Sequence, residues 1–146
     1  MLVHFPIALL LSGFLADLIY LAAKKPFFKS ASLFLLMLGA LGAVAAYLTG
    51  NAAGEGMDDG SSLSQAVEVH EEAAMLTMWL SLLAAGFRLL IEFTNFKPKW
   101  GYATAVVLSA IVVASIVRTG FYGGELVYKH GAGVELELSL TPEPEN

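Results

Sequence analysis

The chain contains no cysteine. That excludes disulfides, thiolate metal sites, Cys-ligated iron–sulfur clusters and the Cys-x-x-Cys-His attachment of c-type haem. Charge is scarce as well: 14% of the 146 residues are charged and 57% are hydrophobic, against about 25% and 45–50% in soluble domains. There is no glycine-rich nucleotide motif, no basic nucleic-acid patch, no hydrolase triad and no internal repeat of clear period. Nucleic acid is thereby excluded as a partner. Histidine occurs only three times, at His4, His70 and His130.

What the chain has instead is long apolar runs. Four are legible, at about Leu2–Ala23, Ala31–Leu48, Ala73–Ile91 and Tyr102–Val117. Crossing the hydrocarbon takes roughly 17–25 apolar residues, so each is a candidate span, the second and fourth at the short end. Backbone in lipid must satisfy its own hydrogen bonds, which makes these spans helices. Tyr47, Trp100 and Tyr102 at their flanks suit an interfacial aromatic belt. The first run lacks a preceding basic stretch and an evident small-residue cleavage site, so it reads as a span and not a cleavable signal.

The charges are sorted by side. Lys24, Lys25 and Lys29 separate spans one and two; Lys97 and Lys99 separate three and four, with Arg88 close by. The stretch between two and three carries Glu55, Asp58, Asp59 and Glu68 and no Lys or Arg. Basic loops stay in the cytoplasm. The expectation is a multi-pass protein of a bacterial inner membrane, with both termini and the acidic loop periplasmic. The fold class is an all-α integral membrane protein: an up-down-up-down four-helix transmembrane bundle over 1–122, with a short extramembrane C-terminal segment, a periplasmic loop and tail over 123–146.

Several local features follow. Gly39, Gly42, Ala43 and Ala46 fall on one face of span two, where small residues admit either a neighbouring helix or a flat ligand. Asp17 and Arg88 lie about 14–15 residues inside their spans from the outer edge, so their depths match and an ion pair is expected. The loop Asn51–Ser64, rich in Gly, Ser and Asp, reads as exposed and mobile, with Ser62 or Ser64 capping the third helix. Gly120, Gly123 and Gly124 read as turns leading into a loop that carries His130. Val134–Leu140 alternates like a short amphipathic strand, and Thr141–Asn146 reads as disordered.

In this layout His4 opens span one, His70 opens span three and His130 follows span four, which gathers every imidazole near one bilayer face. Imidazole is the commonest metal and haem-iron ligand. Spans one and three are diagonal in an up-down bundle, so His4 and His70 are the expected axial ligands of one non-covalent haem b. His130 serves as lid, propionate partner or substitute ligand, Arg118 as a propionate partner, and Gly39 and Gly42 as room beside the cofactor. Capping or headgroup-level roles would explain each histidine singly. A second reading is a haem-free metal or transport site, with His4 and His70 as metal ligands aided by His130, Glu71 and Asp58. A third is a structural anchor for a periplasmic redox protein, docking through Val134–Leu140.

Val3-His4-Phe5-Pro6-Ile7-Ala8-Leu9, His70 at the third helix, and Gly123-Gly124-Glu125-Leu126-Val127-Tyr128-Lys129-His130-Gly131-Ala132-Gly133-Val134 together resemble the predicted bacterial membrane proteins of domain-of-unknown-function family 2231. The resemblance covers nearly the whole chain and implies four spans. Relatives fused to Rieske-type or cytochrome c domains imply electron transfer at the outer face, with such a protein as redox partner. Separately, a homo-oligomer or a place in a larger complex is an open expectation. One departure is that a His-Pro found upstream in many relatives is absent here. The combined expectation is a membrane b-type cytochrome-like subunit, an electron-transfer component more than a stand-alone enzyme.

Overall fold

The computed structural model of the protein describes residues 3–54, 60–94 and 100–132. These form four helices: α1 (His4–Ala23), α2 (Pro26–Gly54), α3 (Ser62–Phe93) and α4 (Gly101–His130). There is no strand among the described residues. All four helices are long and apolar enough to cross a membrane.

Local chemistry sets their ends. Lys24 turns left-handed (φ 54°) and its N–H donates to the Tyr20 carbonyl at 2.8 Å, closing α1. Pro26 then opens α2 only two residues later, at the position where its missing N–H costs nothing. Ser61, not Ser62 or Ser64, caps α3, its hydroxyl accepting from the Ser64 N–H at 3.0 Å. α4 ends at Gly131, whose positive φ (64°) supports paired bonds from Gly131 N–H to Val127 O and from Ala132 N–H to Leu126 O, the Schellman arrangement.

α4 therefore differs from expectation. Helix continues through Gly120, Gly123 and Gly124 to His130, so residues 123–130 are helical and His130 ends a helix instead of sitting in a loop. A helical glycine costs only about 1 kcal/mol relative to alanine, and Gly123 packs against His70. The 51–64 loop is also shorter than expected, since α2 runs to Gly54 and α3 starts at Ser62. The expected strand over Val134–Leu140, the tail Thr141–Asn146, Asp58 and Lys97 with Lys99 lie outside the described residues.

The helices close a ring: α1 packs on α2, α2 on α3, α3 on α4 and α4 on α1, while the diagonal pairs have no close backbone approach and α1 and α3 meet through the Asp17–Arg88 side chains. Contacting numbers rise on one helix as they fall on its neighbour. Gly13 meets Leu35, Gly39 meets Leu10 and Gly42 meets Pro6. Ser32 meets Arg88 and Lys29 meets Glu92; His70 meets Gly123 and Arg88 meets Tyr102. Neighbours in the ring are thus antiparallel. Leu10, Leu36, Ala40, Ala84, Ala85, Val112 and Ile116 fill the apolar centre. Leu15, Phe34, Leu41, Trp79, Leu83, Val107 and Val117 point outward. So large an apolar exterior over polar burial inside suits lipid contact.

Candidate functional site

Two polar centres lie inside the bundle. The inner one contains the expected ion pair. Arg88 Nη2 meets Asp17 Oδ1 at 3.1 Å, with the side chains only 2% and 3% exposed. Every helix contributes to it. The Tyr102 hydroxyl donates to Asp17 Oδ1 at 2.8 Å, the Ser109 hydroxyl donates to Oδ2 at 3.4 Å, and Arg88 Nη2 donates to Ser32 Oγ at 2.9 Å. The guanidinium also stacks over the Tyr102 ring, 4.4 Å from its centroid, and Tyr20 meets that ring edge-on. Tyr102 is thus part of the buried network and not an interfacial belt residue. Pairing with added hydrogen bonds is what makes two charges tolerable away from water.

The outer centre is built around His70. Its Nδ1 lies 3.2 Å from the Thr119 carbonyl oxygen, a geometry that calls for Nδ1–H as the donor. Its ring rests on Gly123, where a Cβ would fall 3.1 Å from Cε1. Here the glycine matters: without a Cβ it lets the Cε1 edge of the imidazole approach the α4 backbone closely. Beneath it, Thr77 Oγ1 and Thr119 Oγ1 are 2.9 Å apart, and both approach the Ala73 carbonyl at 3.0 Å. The α3–α4 register is thereby locked at the residue that receives His70.

The other histidines are not brought to this point. Asp17 and Arg88 meet side by side, and His4 is 13 residues before the one while His70 is 18 before the other. At about 1.5 Å per residue, His70 stands ~8 Å further out than His4. His130 is seven residues beyond Gly123, another ~10 Å outward. The single thin layer of imidazoles is thus replaced by a staircase, because α3 and α4 both continue past the apolar core before their histidines. His4 itself is exposed. No three His, Asp or Glu side chains gather into a metal-holding group among the described residues. The expected divalent-ion set therefore does not assemble there, although Asp58 lies outside them.

Gly39 and Gly42 are taken by α1. A Cβ on Gly39 would come within 2.7 Å of Leu10, and one on Gly42 within 3.1 Å of Pro6. Of a helix neighbour and a flat ligand on that small-residue face, the helix neighbour is the one observed. Arg118 lies exposed, its guanidinium 5.4 Å from the Tyr122 ring centroid.

The family model described as "Predicted membrane protein (DUF2231)" matches residues 1–136. The chain belongs to that family. No curated protein and no solved structure matches it. The residues that give this DUF2231 member its two polar centres are only partly visible in its sequence. Residue type alone does not mark Thr77, Thr119, Ser81, Ser109, Ser32 or Tyr102 as site residues. Their signal is helical phase: Thr77, Ser81 and Arg88 follow His70 at steps of seven, four and seven, on one face of α3.

Proposed function

We propose that this protein is a membrane b-type cytochrome-like subunit, holding haem b without a covalent bond near the outer end of the bundle and exchanging electrons with a periplasmic redox partner. The seat of His70 carries the reading. With Nδ1–H donated to the Thr119 carbonyl, Nε2 keeps its lone pair. A metal-bound imidazole is typically fixed this way, its second nitrogen donating to a backbone carbonyl that sets tautomer and orientation. The His70 seat suits an axial ligand of haem, while His4 is exposed and stands about 8 Å less far out. His4 supplies the second imidazole in this proposal, because α1 is the helix diagonal to α3. Arg118, adjacent in sequence to Thr119, is the guanidinium assigned to a propionate. Bound haem would supply one-electron chemistry. The protein's part is to fix the His70 ring, exclude water with the apolar wall and set the local charge.

The proposal places both termini in the periplasm of a bacterial inner membrane, with helices in up-down-up-down order, supported by Lys24, Lys25, Lys29, Lys97 and Lys99 lying between spans one and two or three and four. A cytochrome c or Rieske-type protein is the partner class, as the family resemblance implies.

The visible absorption spectrum of purified protein tests this. A low-spin b-type spectrum with a Soret band that shifts on reduction is expected. His70→Ala should abolish haem retention or leave it high-spin, and His4→Ala should do the same. His130→Ala should leave a low-spin centre. If His130→Ala alone gives the high-spin form, the ligand pair is wrong. If no haem co-purifies from cells supplied with haem precursor, the cytochrome reading fails.

A further inference from the structure

Two positive charges stand uncompensated at one end of the bundle. Lys24 closes α1 in the left-handed region and Pro26 opens α2 two residues later, so Lys24 and Lys25 form a tight turn, and both are exposed. Neither has an ion-pair partner among the described residues. The carboxylates nearest in depth are taken: Glu92 pairs with Lys29 and Asp17 with Arg88. The surroundings of the turn are aromatic. Lys24 Nζ lies 5.8 Å from the Tyr20 ring centroid, and Tyr20 meets Tyr102 edge-on at 4.9 Å. Phe27 follows the turn directly and is 73% exposed; Phe93 and Trp100 are exposed at the same end. The opposite end differs, since Lys129 there is paired with Glu125.

Depth puts the turn among lipid headgroups. On α3, Glu72 and Glu92 are 20 residues apart, and the one charged residue between them, Arg88, is buried. At about 1.5 Å per residue that run is ~30 Å long, the thickness of the hydrocarbon layer. Glu92 lies four residues past Arg88, and Lys24 lies seven past Asp17, the partner of Arg88. Lys24 therefore stands ~4 Å beyond the hydrocarbon edge, within a headgroup layer roughly 5–7 Å deep.

We propose that the α1–α2 turn is a binding site for a phospholipid whose headgroup carries net negative charge. The headgroup phosphate sits against the Lys24 and Lys25 ammonium groups, and the acyl chains run along Phe27 and the exposed Leu18 and Leu21 of α1. Charge complementarity selects the occupant. Two lysines without acidic partners attract an anion, and a zwitterionic headgroup brings no net charge to them. The apolar flank selects a lipid over free phosphate, because only a lipid covers Phe27 with acyl chain while its phosphate meets the lysines. The Tyr20 ring beside Lys24 holds the ammonium without neutralising it. Nothing in this requires haem, and it holds for either orientation of the protein in the membrane.

The chain carries its own reporter. Trp100 lies two residues before Tyr102, whose ring meets Tyr20, and the only other tryptophan is Trp79. Full-length Trp79→Phe protein in phosphatidylcholine vesicles is titrated with brominated phosphatidylglycerol or brominated phosphatidylcholine, and quenching of Trp100 is read. Phosphatidylglycerol should bind roughly 30-fold more tightly at low salt, the strength of two lysines at an anionic surface, and the preference should shrink at high salt. Lys24→Gln with Lys25→Gln should lower it several-fold, and because both lysines are exposed the change removes charge without opening the core. Lys24→Arg with Lys25→Arg should keep it, and Lys129→Gln at the other end should leave it unchanged. Equal quenching by the two lipids, or a preference unchanged by the glutamine variant, overturns the proposal. So does loss of the preference to inorganic phosphate but not to chloride at matched ionic strength, which would mark a site for a free anion.

Discussion

At the residue scale, Asp17 and Arg88 show how a charge becomes tolerable inside a bundle. The pair has three hydroxyl partners, Tyr102, Ser109 and Ser32. Removing one charge leaves the other buried and unpaired, which costs about 3–5 kcal/mol. Asp17→Asn should therefore lower unfolding stability in detergent by about that much, while Asp17→Asn with Arg88→Gln should recover much of the loss. A double variant no better than the singles would mean the two charges do not couple. Gly123 carries a prediction of a different kind. A Cβ there would press the His70 ring at 3.1 Å, so Gly123→Ala should displace the imidazole from the Thr119 carbonyl. On the cytochrome reading the haem spectrum should shift or vanish, while helical content stays unchanged by circular dichroism. The ion pair was legible from depth counting alone, since both residues lie equally far inside their spans. Its partners were not. Tyr102 has the composition of an interfacial residue, and only the close approach of α1 to α4 turns its hydroxyl onto Asp17.

At the element scale, glycine has opposite meanings in different helices. Gly39 in α2 is a packing device: Leu10 lies where its Cβ would be, at 2.7 Å, and the Leu10 backbone nitrogen is 3.2 Å away. The backbone contact cannot be relieved by a rotamer change. Gly39→Ala should push α1 and α2 apart and destabilise by about 1–3 kcal/mol, the usual cost of overpacking. Gly86 in α3 meets nothing within 4 Å, so Gly86→Ala should be neutral or slightly stabilising through helix propensity. Thermal melts of the two variants in one detergent separate the cases, and equal loss in both would contradict the assigned contact. The four helices themselves were legible from apolar run length. The outer end of α3 was legible to within a few residues from its serine cap, but that of α4 was not, because α4 continues past the apolar core, where hydropathy no longer marks helix. In α4 the stop falls at Gly131, whose positive φ permits the Schellman bonds. Gly120, Gly123 and Gly124 are of the same residue type, and local sequence cannot tell them from a terminator. That misplaced helix end is also why His130 stands farther out than expected.

At the scale of the whole molecule, the two ends of the bundle are chemically different. One end holds Lys24, Lys25, Lys29 and the Lys29–Glu92 pair; the other holds the start of α3, with Glu68, Glu71 and Glu72 near His70, and the end of α4. Six of the eight Lys and Arg residues are Lys24, Lys25, Lys29, Arg88, Lys97 and Lys99, and no Lys or Arg lies between Gly50 and Phe87. Basic segments resist translocation, so the first end should remain in the cytoplasm. A reporter active only in the periplasm should then give signal when fused after Gly60 and none when fused after Lys25. A fluorescent reporter that matures only in the cytoplasm should give the reverse. The orientation matters for chemistry as well as for topology. On that orientation His70 would lie on the periplasmic side and Asp17 nearer the cytoplasm, so on the cytochrome reading electrons would be exchanged at the outer face. Cytoplasmic signal at Gly60 would invert that assignment: on the cytochrome reading the redox partner would have to be cytoplasmic, and the Lys29–Glu92 end would face outward.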